Sequence, residues 1–119
     1  MGARAVLVSS DLFFISKIKE AAASCSKEII VARSQAVLDQ ARLTIGLSGL
    51  LIVDLEKAPI ALETLATAAK ELMSQDWMVV SFFSHVHVDT AEKANHMGLG
   101  EVMPRSKFVR VLPELLAAL

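Results

Sequence analysis

The sequence predicts an α/β fold, a parallel sheet covered by helices on both sides. Two observations predict it. Short continuous apolar runs recur along the chain, the pattern of strands buried on both faces. Between them lie stretches of helical period, in regular alternation, and strict alternation of this kind belongs to parallel sheets.

Ala5-Val6-Leu7-Val8 reads as the first strand, with β-branched residues at Val6 and Val8. Ser9-Ser10-Asp11 supplies capping chemistry for a helix whose apolar stripe is Leu12, Ile15, Ile18, Ala22 and Cys25. Glu28 to Ala32 is the second strand, and Ser34 caps a helix through Ala36, Leu38 and Ala41 that stops near Gly46. Leu50-Leu51-Ile52-Val53 is the third strand and runs directly into Asp54. Pro59 is placed to open the next helix, whose inner face is Leu62, Leu65, Ala66, Ala69 and Leu72. Trp77 to Phe82 is the fourth strand, followed by a loop from Phe83 to Val88. Asp89 or Thr90 caps a short helix ending at Met97-Gly98. Glu101-Val102-Met103 is the fifth strand, ended by Pro104. Ser106 caps a last helix to Leu119, which Pro113 should kink because proline removes a backbone donor and crowds the preceding turn.

Residues 1–119 suit a single domain. A hydrophobic fraction of 54% against 21% charged excludes disorder as the main state. Twelve basic and 13 acidic residues are spread evenly, so neither a nucleic-acid face nor a membrane-binding run is expected. The single cysteine, Cys25, forms no internal disulfide, and no signal-like start or membrane-spanning run is seen. A cytoplasmic location is expected. After the first strand the chain reads Ser-Ser-Asp, without the glycine-rich loop that cradles a dinucleotide. In such sheets the functional crevice lies at the carboxyl ends of the strands, which here carry Ser9, Ser10, Asp11, Asp54, Phe83, Ser84 and Arg105.

Over essentially its whole length the chain resembles the receiver domain of two-component response regulators. Leu51-Ile52-Val53-Asp54 resembles the third strand that ends in the phosphorylated aspartate. Ala94-Asn95-His96-Met97-Gly98 resembles the end of helix four, and Glu101 to Phe108 resembles the fifth strand with its Lys-Pro-Phe ending. The resemblance implies a flavodoxin-like three-layer sandwich with strand order 2-1-3-4-5. It puts Asp54 at the phosphoacceptor position, Ser9, Ser10 and Asp11 in a degenerate acidic pocket, Phe83 or Ser84 at the switch position, and Arg105 at the position of the receiver lysine. Two serines stand where receivers hold magnesium with paired acids. The chain is therefore identified as a pseudo-receiver, with no cofactor and no tight magnesium site. An Arg105–Asp54 ion pair is expected in place of a phosphate contact.

The expected function is that of a stand-alone, non-enzymatic signalling module. Its partner would be a histidine kinase, an output protein or a second copy of itself, met through Met97, Val102, Met103 and Phe108. Two alternatives stand beside it. One is a working single-domain response regulator in a phosphorelay, phosphorylated on Asp54 with magnesium. The other is a small metal-dependent hydrolase, because His85-Val86-His87-Val88-Asp89 has the H-x-H-x-D spacing of some zinc hydrolases.

Overall fold

A computed structural model describes residues 2–84 and 88–119, with the backbone alone at Val88. Five strands alternate with five helices: β1 (Ala5–Val8), α1 (Leu12–Ser24), β2 (Ile29–Ala32), α2 (Gln35–Ile45), β3 (Ser48–Asp54), α3 (Leu62–Met73), β4 (Asp76–Phe83), α4 (Val88–Met97), β5 (Glu101–Pro104) and α5 (Arg105–Ala117). The strands form one parallel sheet in the order β2-β1-β3-β4-β5, a flavodoxin-like topology. No helix among the described residues is long and apolar enough to cross a membrane.

The apolar runs divide by parity, as successive side chains of a strand must. Val6, Val8, Leu51, Val53 and Val79 face α2, α3 and α4, meeting Leu38, Leu65, Leu72 and Ala94. Ala5, Leu7, Leu50, Ile52, Val80 and Phe82 face α1 and α5, meeting Phe14, Ile18, Phe108, Leu112 and Leu116. Both faces of β1 and β3 are therefore covered, which is why those strands contain almost no polar residue.

Several element ends differ from the sequence expectation. Leu12, placed on the buried stripe of α1, is exposed, while Phe14 takes its place in the core. Leu12 and Phe14 lie on opposite borders of the arc through Ile15, Ile18 and Ala22, at about 100° per residue, and the packing of the first turn buries Phe14. Pro59 does not open α3, which begins at Leu62 with Ala61 at its cap and no side-chain cap bond. Asp89 and Thr90 lie inside α4 rather than capping it. Pro104 closes β5 and also caps α5, so Ser106 falls within the first turn instead of at the cap. The helix then runs through Pro113 as one element. Gly46 does end α2, with φ of 99°.

Candidate functional site

β3 lies at the centre of the sheet, between β1 and β4. Its last residue, Asp54, therefore emerges beside the ends of β1 and β4, and it is buried to 1% exposure. An isolated carboxylate in that position would be costly unless hydrogen-bonded. Its partners are protein dipoles. Ser9 Oγ donates to Oδ2 at 2.8 Å, and the amides of Glu56 and Lys57 donate to Oδ1 at 3.2 and 3.1 Å. The two amides form an Asx-type turn, in which an aspartate side chain bonds to the backbone just ahead of it. Ser10 ties the same loop from the other side, because both its amide and its hydroxyl donate to the Lys57 carbonyl at 2.9 Å.

Ser9, Ser10 and Asp11 thus part company instead of forming one pocket. Ser9 also accepts from the Asp11 amide at 3.1 Å, while the Asp11 carboxylate turns away to α1. There it caps the helix, accepting from the Phe14 amide at 3.2 Å. Its other oxygen meets Arg105 at 3.2 Å. The expected Arg105–Asp54 pair is accordingly not formed: among the described residues, the ion pair of Arg105 is with Asp11. The reason is the aromatic shelf beneath it. The guanidinium lies 4.1 Å from the Phe14 ring and 5.7 Å from the Phe82 ring, an attractive cation–π placement. That shelf holds Arg105 on the α1/α5 side of the sheet.

The Asp11 carboxyl is held below the ordinary carboxylate range. The Phe14 amide is the largest cause, followed among the lowering effects by the Arg105 guanidinium and the charge of Lys57; partial burial opposes them. A depressed folded-state value means stability that is present above the unfolded value of 3.8 and lost as pH falls through the folded one. The side chains are partly solvated, so the effect is small, about 1 kcal/mol or less. Asp11→Asn keeps a competent cap and removes only the charge. Thermal melts of wild type and Asp11→Asn should differ most above about pH 5 and converge in stronger acid. A constant gap at all pH values would rule the charge out as the cause.

Phe83 and Ser84, the two candidates for a switch position, lie in different surroundings. Phe83 ends β4, pairs with Pro104 of β5, and packs into the α2/α3/α4 core. Ser84 follows it and carries the hydroxyl. Both its amide and its hydroxyl donate to Glu56 Oε1, the latter at 2.7 Å. The sequence reading missed Glu56 and Lys57 as site residues. The available signal was Asp54 itself, since an aspartate leaving a strand commonly binds the next amides. Nothing local marked the Glu56–Ser84 contact.

Two of the four residues expected to meet a partner are buried. Met103 and Phe108 are buried in the α1/α5 core, and Met97 and Val102 pack against the opposite one. Among the described residues, Leu12, Phe13 and Val109 are exposed apolar side chains at the starts of α1 and α5. Phe13 and Val109 border a groove of about 570 Å³ between the starts of α1 and α5, shared with Phe14, Lys17, Phe83 and Arg105.

His85 and His87 lie outside the described residues. Asp89 stands in the first turn of α4 and His96 in its last. Among the described residues, no three His, Cys, Asp or Glu side chains are grouped to hold a metal ion. Comparison with protein-family models, curated proteins and solved structures gave no match to this chain.

Proposed function

We propose that this chain is an atypical receiver-like signalling module, non-enzymatic, that works by binding another protein and not by magnesium-dependent phosphorylation of Asp54. The observation that carries the reading is the hydrogen-bonding of Asp54: both carboxylate oxygens are already engaged, by Ser9 and by the amides of Glu56 and Lys57. Phosphoryl transfer depends on positioned positive charge around the transferred oxygens. Here the residues after β1 are neutral serines, and the guanidinium at the end of β5 is committed to Asp11 and to Phe14. The partner in this reading is a histidine kinase, an output protein or a second copy of the chain.

The test combines covalent and binding readouts. Purified protein is incubated with magnesium and acetyl phosphate and examined by intact mass, with no adduct expected. Self-association, followed by light scattering, is expected to be the same for wild type, wild type with beryllofluoride, and Asp54→Asn. A ligand shifts an equilibrium only by its differential affinity for the two states. A phosphate adduct, or a beryllofluoride-dependent change in association lost in Asp54→Asn, would reject this reading in favour of a working phospho-receiver.

A further inference from the structure

Glu56 comes two residues after Asp54 and crosses from the β3–α3 loop to the end of β4. One of its carboxylate oxygens receives both polar hydrogens of Ser84, from the amide and from the hydroxyl. The loop that delivers it is pinned at two points. Asp54 Oδ1 holds the amides of residues 56 and 57, and Ser10 holds the Lys57 carbonyl through two bonds. Ser84 is fixed from behind by Phe83, whose backbone pairs with Pro104 and whose ring is buried. Ser84 also lines the groove that Arg105 and Lys17 border.

Two donors converging on one carboxylate oxygen are the chemistry that recognises an anion, and such charge-assisted bonds are stronger than neutral ones. We propose that the Ser84 amide and hydroxyl form an anion-binding site occupied in cis by the Glu56 carboxylate. The end of β4 is thereby held in its anion-bound arrangement without free phosphate or a phosphorylated side chain. The proposal rests on the functional reading above and supplies its mechanism, since a tethered acid would make the module insensitive to phosphate. A short tether acts at an effective concentration in the millimolar range or higher. Free anions below that concentration do not displace it.

The experiment follows the Ser84 amide by ¹H–¹⁵N correlation spectra during separate titrations with sodium acetate and inorganic phosphate. In wild type the Ser84 amide should stay in place through about 10 mM of either anion. In Glu56→Ala it should start at a different position and then move saturably with at least one of them, at an apparent affinity about tenfold or more above wild type. Glu56→Gln keeps a neutral acceptor in the same place. It should fold and show a shifted Ser84 amide even if the alanine variant does not fold. A wild-type Ser84 amide that titrates with millimolar phosphate would overturn the proposal. So would a folded Glu56→Ala whose Ser84 amide is unchanged or indifferent to both anions, and so would a Glu56→Gln amide at the wild-type position. These outcomes separate from the functional test. A phosphate adduct on Asp54 rejects the phosphate-independent reading while the Ser84 result stands. A failed anion titration with no adduct rejects the cis-occupied site alone.

Discussion

Phe108→Ala should lower the unfolding free energy by about 3–5 kcal/mol, as is usual for deleting a fully buried aromatic ring. Phe108 is completely buried. Its ring stacks on Phe82 with centroids 4.8 Å apart and lies 6.1 Å from Phe14. Phe14 in turn sits 4.9 Å from Phe82 and beneath the Arg105 guanidinium. The loss therefore includes apolar transfer, the cavity left behind and the stacking of the trio, each of which favours the ring over a methyl group. Against a total stability of about 5–15 kcal/mol, the variant would stand near the edge of folding. Val109, the next residue, is half exposed, and Val109→Ala should change stability by about 0.5 kcal/mol or less. Urea unfolding midpoints decide the matter. Similar losses for the two variants would mean that Phe108 does not hold α5 to the sheet.

Gly100→Ala is the second large effect, expected at about 2–4 kcal/mol. Gly100 turns the chain from α4 into β5 with φ of +72°. A left-handed conformation by itself costs a side chain about 1 kcal/mol. The larger part is steric. A Cβ on Gly100 would lie 2.1 Å from the Val79 carbonyl oxygen and 2.6 Å from its carbon. That obstacle is the backbone of β4, held between β3 and β5, and it cannot swing aside as a side chain would. Gly98 provides the comparison: its φ is +80°, yet a Cβ there meets nothing within 4 Å. Gly98→Ala should therefore show only the conformational cost, about 1 kcal/mol. Equal losses at the two glycines would reject the close approach to Val79 as the dominant cause. Because β5 leads straight into Arg105, Gly100→Ala is also expected to disturb the Arg105–Asp11 contact.

Much of the architecture was legible because its causes are local. Val6 and Val8 belong to one core and Ala5 and Leu7 to the other, so β1 had to be apolar throughout, and the sequence displays that need openly. Ser34 and Gly46 bound α2 where cap chemistry places them. The place of Asp54 at a strand's carboxyl end was readable because it follows the apolar part of the third strand. The errors fell at helix starts. Leu12 is as apolar as Ile15, and periodicity alone does not tell which turn of an amphipathic helix overhangs the sheet. Pro59 and Ser106 are good starting residues chemically, but the chain geometry at the ends of β3 and β5 begins the helices elsewhere.

What the sequence determined by itself was the alternation of strand and helix, the two-sided burial of the sheet, and the placing of Asp54 at a strand's carboxyl end. Each follows from side-chain period and from the need to remove apolar surface from water, and both act over a few neighbouring residues. Only the tertiary structure decided which polar groups meet. Ser9 reaches Asp54 across 45 residues, Arg105 reaches Asp11 across 94, and Ser84 reaches Glu56 across 28. Those pairings depend on strand order and register, which bring the ends of β1, β3, β4 and β5 together. The same register set Phe14 and Phe82 beneath Arg105, drawing its charge to Asp11 and leaving Asp54 to a hydroxyl and two amides.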